Sequence, residues 1–188
     1  MKRSCIIYSG GKKKLDLLLK DESAVEGLPI RVTASLIIFS VILGLSAKAI
    51  YDFMDDAKEN ELMGELNLIE RHAAMMYTNG GARDIHNPVD FSGSRESIHV
   101  KIPDNAAFVV FGSMPISDGS PPEILDTRTD NVFYYVLNDG RVQTKSSIAR
   151  FSADDLNKPF VLYPGEYELM LELVKNNNGT YVRIQNIE

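Results

Sequence analysis

The chain has 188 residues, 44% hydrophobic and 24% charged, so it can build a packed core and wholesale disorder is excluded. Its net charge of −6 argues against nucleic acid as a partner. Its single cysteine, Cys5, excludes an internal disulfide framework and a cysteine-built zinc site.

Residues 1–27 carry six cations, among them Lys12, Lys13, Lys14 and Lys20, against four anions. Sixteen uncharged residues then run from Val32 to Ala47 with no continuous polar face. Leu28–Ile30 and Ala49–Tyr51 extend this run beyond Arg31 and Lys48, whose long side chains can snorkel toward lipid headgroups. A bilayer core needs about 20 helical residues, so residues 28–50 are expected to span a membrane. The lysines precede the span, and the acid-rich stretch Asp52–Glu61 follows it. The positive-inside rule therefore sets residues 1–27 in the cytoplasm as a basic leader and everything after Tyr51 outside. That outer portion has 12 cations against 22 anions, a net −10, and no cysteine, which fits an archaeal or bacterial surface protein. A competing reading is a cleaved secretory signal, with Ala47-Lys48-Ala49 as its A-x-A site.

Helical periodicity continues past Tyr51. Phe53, Met54, Ala57, Leu62, Leu66, Ile69, Ala73, Met76 and Tyr77 recur mostly at three- and four-residue spacing, between Asp and Glu residues. Residues 51–78 are thus an amphipathic extension of the same helix, stopped by Asn79-Gly80-Gly81. From residue 82 the pattern changes to β-rich segments: Ser97–Ile102, Ala106–Phe111, Val132–Leu137, Arg141–Ser147, Phe160–Tyr163, Tyr167–Lys175 and Thr180–Ile187. Asn138-Asp139-Gly140 and Asn176–Gly179 read as hairpin turns, and Pro115–Pro122 as an exposed loop. Leu169, Leu171 and Leu173 share one strand face, with Glu168 and Glu172 on a face expected to be wet. The fold class is therefore α+β: a long N-terminal helix, transmembrane then amphipathic, packed on a C-terminal antiparallel β-sandwich or curled sheet at 82–188. Leu62, Leu66, Ile69 and Ala73 should meet Leu169, Leu171 and Leu173 in its core.

Chemistry is sparse. His72, His86 and His99 lack the spacing of a metal site, and Asp126–Asn131 lacks the glycine and closing glutamate of a calcium loop. No nucleophile–base pair or phosphate loop is found, so no catalytic residue, metal or cofactor is nominated, and an enzyme is not expected. Asn178-Gly179-Thr180 is an N-glycosylation sequon at a hairpin tip, which makes Asn178 a possible modification site. Phe133, Tyr134, Tyr135 and Tyr163 would form a glycan-binding patch if they were exposed.

Asp21-Glu22-Ser23-Ala24-Val25, followed by Pro29 and a long apolar helix, resembles the N-terminus of archaeal type IV pilin-like proteins. The resemblance implies leader cleavage by a prepilin peptidase at Ala24–Val25, or at Gly27–Leu28, and assembly with other pilin-like subunits. The expected function is then a single-pass cytoplasmic-membrane protein of the surface or envelope with a structural role. The alternative is a monomeric anchored module that binds a glycan, a wall polymer or a protein.

Overall fold

The computed structural model describes residues 22–87, 89, 90, 92–117, 119–153 and 157–187. The chain forms two units, one ending at Phe53 and one running from Met54 to Glu188. Residues 1–21, with Cys5 and Lys12–Lys14, lie outside the described residues.

One helix, α1 (Glu22–Asn79), contains both the apolar and the amphipathic stretches and keeps Pro29 inside it. It begins at Glu22 rather than at Leu28. Pro29 costs the helix the backbone hydrogen bond that its missing N–H would give the carbonyl of Val25. Within the first unit, Leu36–Phe39 and Val41–Leu43 are each more than half exposed, as is every other large apolar side chain from Ile30 to Phe53. At the other end Gly80 N–H donates to the Met76 carbonyl at 2.7 Å. A Cβ on Gly80 would stand 2.4 Å from that oxygen, so the helix stop requires glycine.

Among the described residues the second unit places nine strands in two sheets. They are β1 (Arg83–Asp84), β2 (Arg95–Ile102), β3 (Ala106–Phe111), β4 (Val132–Leu137), β5 (Val142–Ser146), β6 (Phe151–Ser152), β7 (Phe160–Leu162), β8 (Gly165–Asn176) and β9 (Gly179–Asn186). The first sheet runs β1-β8-β9-β6, with β2 also paired to β8, and the second runs β5-β4-β3-β7. All pairings are antiparallel except two short parallel ones, β1 with β8 and β6 with β9. The β4–β5 hairpin turns through Asn138-Asp139-Gly140, where Gly140 takes φ +86°, a conformation costly for any residue with a Cβ.

Register explains the core. Ile98 pairs with Leu169, Leu171 with Ile184, and Leu173 with Val182, so the inner face of the first sheet is aliphatic apart from Phe151 of β6. The second sheet contributes Val109, Phe111, Phe133, Tyr135, Leu137 and Leu162. Phe111 stacks on Phe133 at 5.3 Å and meets Phe151 edge-on at 5.2 Å. Leu62, Leu66, Ile69 and Ala73 enter this same core, each fully shielded from solvent. The flanks of the helix reach to the two sheets separately. Glu65 accepts from Lys101 N–H on β2 at 3.4 Å, so it is half-buried rather than on a wet face. Glu59 accepts from the Tyr135 hydroxyl at 3.0 Å and from Arg141 at 2.9 Å, and Glu70 from the Ser147 hydroxyl at 2.7 Å. The helix thus belongs to the core on its apolar stripe and to both sheets on its polar edges.

Leu66→Ala should lower the unfolding free energy by about 2–5 kcal/mol, the usual range for a leucine truncated in a packed site. Denaturant titration of the purified full-length protein in detergent checks it. A loss below about 0.5 kcal/mol, the surface range, would detach the helix from the core.

Candidate functional site

The most concentrated charge lies on the outer face of the first sheet. Glu172 on β8 sits between Arg95 on β2 and Arg183 on β9 in the ladder, so the three side chains share one face. The Glu172 carboxylate is fully buried and takes hydrogen bonds from three guanidiniums. Arg83 donates Nε to Oε1 at 2.7 Å and Nη2 to Oε2 at 3.1 Å, and Arg95 donates Nε to Oε1 at 2.8 Å. Arg183 Nη2 bonds Oε2 as well. Burial pushes the Glu172 carboxyl up, but the hydrogen bonds from Arg83 and Arg95 and the charge of Arg183 outweigh it and hold the group at about 2.

The face expected to be wet is therefore covered where Glu172 stands. Alternation along β8 sorted its side chains correctly into two faces, but it carries no information about what lies over the second one. Val174 and Tyr181 are buried on that face under Ile85 and Leu125. Beside them Arg150 donates Nε to Asp130 Oδ2 at 2.8 Å and Nη2 to the Tyr181 hydroxyl at 3.1 Å. Its guanidinium carbon also lies 4.5 Å from the Tyr181 ring centre. Asp130, one of the acids considered for a calcium loop, is thereby committed to an ion pair, and Asp126 is likewise held by Arg128 at 3.0 Å.

The other sequence-derived positions do not converge. Ala24, Val25, Gly27 and Leu28 lie in the helical backbone of α1. His72 lies on α1 with Nδ1 2.8 Å from Glu96 Oε1, His86 is exposed after β1, and His99 is exposed on β2. Among the described residues no three His, Cys, Asp or Glu side chains gather where a metal could be held. Asp154 and Asp155 lie outside the described residues. Asn178 is exposed at the β8–β9 turn, where its N–H donates to Asn176 Oδ1 at 2.8 Å.

The aromatic patch does not form. Phe133, Tyr134 and Tyr135 are 1%, 1% and 2% exposed, and of the four only Tyr163 is open, at 54%. Alternate members of the run go inward to the core, while Tyr134 joins Phe108 and Val110 in a separate apolar cluster on the outer face of β3 and β4. The arginine cluster on Glu172 had only a diffuse sequence signal: lone arginines in three strands, one of them only two residues long.

The remaining candidate is the apolar segment of α1. An 18-residue window in it reaches a mean hydropathy of 2.0, none of it is buried, and it is long and apolar enough to cross a membrane. No protein-family model matches the chain, and no curated protein or solved structure matches it either.

Glu172→Gln leaves three guanidiniums around an uncharged amide and should cost about 3 kcal/mol of stability near neutral pH. The folded carboxyl stands at about 2 against an ordinary 4.5, so folding favours its ionised form. Its contribution is complete above pH 4.5 and fades as pH falls toward 2. The stability gap between wild type and variant, measured by denaturant titration, should close over that window. A gap that stays constant would mean that the charge is not what Glu172 supplies.

Proposed function

We propose that the protein is a membrane-anchored, pilin-like surface or envelope protein with a structural or assembly role, rather than an enzyme. One observation carries this reading: a single helix holds an uncovered apolar segment and also supplies the central stripe of a β domain's core. The reading places residues 1–27 in the cytoplasm, residues 28–50 in the cytoplasmic membrane and the β domain outside, following the lysine bias of the leader. Other pilin-like subunits are its assembly partners, and Asn178, exposed at its turn, is a glycosylation site on the same reading.

The resemblance at residues 21–29 supports leader cleavage by a prepilin peptidase at Ala24–Val25 or Gly27–Leu28. A peptidase needs its scissile bond out of the helix, and Pro29 favours that at one of the two positions. Proline has no N–H to offer the carbonyl four residues before it, so Val25 lacks its helical donor beside the Ala24–Val25 bond. The glycan-binding alternative loses its aromatic platform, because three of the four rings are buried. A protein-binding module remains the second reading, favoured by an open sheet edge.

Fractionation of the producing cells should leave the full chain with the membranes and release it only with detergent. Full-length protein in the soluble fraction overturns the anchor. Mass spectrometry of the mature N-terminus should find Val25 or Leu28 first. Ile50 first would indicate a signal peptidase, and an intact Met1 would indicate a plain anchor without processing.

A further inference from the structure

Strand β5 forms one edge of the four-stranded sheet, and all five of its residues are exposed. Among the described residues its only strand partner is β4. The hairpin bonds show which backbone groups are left over. Leu137 N–H donates to the Arg141 carbonyl at 2.9 Å, and Ser147 N–H to the Asn131 carbonyl at 2.8 Å. Hydrogen-bonded pairs alternate along an antiparallel ladder, so Gln143 and Lys145 also direct their backbone groups to β4. Val142, Thr144 and Ser146 direct theirs to the open edge.

The side chains beside this edge are selective. On the outer face of the sheet, Pro115 and Ile116 overhang a cavity of about 260 Å³ lined by Phe108, Tyr134, Val136 and Val142. Val142 belongs to both the cavity and the edge. Lys145 is exposed on the strand, Arg141 is committed to Asp139 and Glu59, and residues 142–149 contain no acid. An edge of this kind takes an added strand through its backbone and selects it through alternate side chains.

We propose that β5 receives an extended segment of another protein as an added strand, with a large apolar side chain in the cavity beside Val142 and an acidic one opposite Lys145. Val142 and Lys145 are three residues apart and so face opposite sides of the sheet. The partner therefore reads acid-x-x-apolar if antiparallel and apolar-x-x-acid if parallel. A second copy of this chain fits poorly. Pairing β5 with β5 about Thr144 would set Ser146 against Val142 and leave the cavity empty. An exposed lysine in an edge strand also deters pairing with its own kind, while it admits an acidic partner. The inference concerns the β domain alone and stands whether or not the chain is pilin-like.

The test uses the full chain in phosphatidylcholine nanodiscs and two fluorescein-labelled probe peptides, TETTLT and TLTTET. In the free protein the amides of Val142, Thr144 and Ser146 should exchange with deuterium faster than those of Gln143 and Lys145. One of the peptides should slow the first three and bind saturably by fluorescence polarisation. Thr144→Pro removes an edge-facing N–H without breaking a bond to β4, a placement strands tolerate, and should weaken binding by roughly tenfold or more. Lys145→Glu, which leaves the backbone untouched, should transfer preference to the peptide with lysine in place of glutamate. Slow exchange at all five amides in the free protein overturns the proposal. So does binding unchanged by both substitutions, binding equal to empty nanodiscs, or slowing of the three edge amides with rising protein concentration and no peptide, which would make a second copy the occupant.

Discussion

Between two sheets of opposite sequence, Leu62, Leu66, Ile69 and Ala73 occupy the space that an ordinary sandwich would fill with side chains from its own strands. The first sheet brings mainly aliphatic residues to this contact and the second brings the aromatic rings of Phe111, Phe133 and Tyr135 among aliphatic neighbours, and the helix stripe touches the shared core. Fully burying one leucine contributes about 1.5–3 kcal/mol, so the stripe accounts for a large part of the 5–15 kcal/mol typical of a domain. Its acidic flanks follow from the same geometry. Glu59, Glu65 and Glu70 lie at the margins of the contact, where a carboxylate is half-desolvated, and each has a donor on the facing strand or turn.

The outer faces of the two sheets are finished in different ways. The second sheet carries a small apolar cluster, whereas the first combines one, Val174 and Tyr181, with buried ion pairs on Glu172 and Asp130. Guanidiniums there accompany the weakest backbone elements. Strands β1 and β6 are two residues long and pair in parallel, too short for their ladders to fix a register. Arg83, itself in β1, grips Glu172 of β8, and Arg150, immediately before β6, grips Asp130 and approaches Tyr181 of β9. Rigid multidentate donors supply the positional constraint that two backbone pairs lack.

What could be read from the sequence follows periodicity. The helix beyond the apolar run and the seven longer strands have enough residues for a repeat of 3.6 or 2 to declare itself, and the burial of Leu66 in one core with Leu171 follows from it. Strands β1 and β6 are shorter than any period. Glu172 was misjudged because alternation assigns a residue to a face without saying whether that face is covered. For the same reason alternation could not tell whether the run Phe133-Tyr134-Tyr135 is exposed, and both faces of β4 are packed there. The direction of the free backbone groups on β5 depends on the hydrogen-bond phase of its hairpin, which no residue type encodes.

The order of elements along the chain also has a consequence in time. The helix is made first, yet β8, which pairs with β1, β2 and β9, ends at Asn176, and its partner β9 ends at Asn186. Synthesis at about 5–20 residues per second leaves roughly 5–20 s between the emergence of the Leu62–Met76 stripe and the arrival of the strands that cover it. During that interval the nascent chain displays a row of leucine, isoleucine and methionine with no sheet to receive it. Holding the helix apart from other nascent chains until the last hairpin closes is a demand this architecture places on the cell, and a domain with its core helix at the other end would not make it.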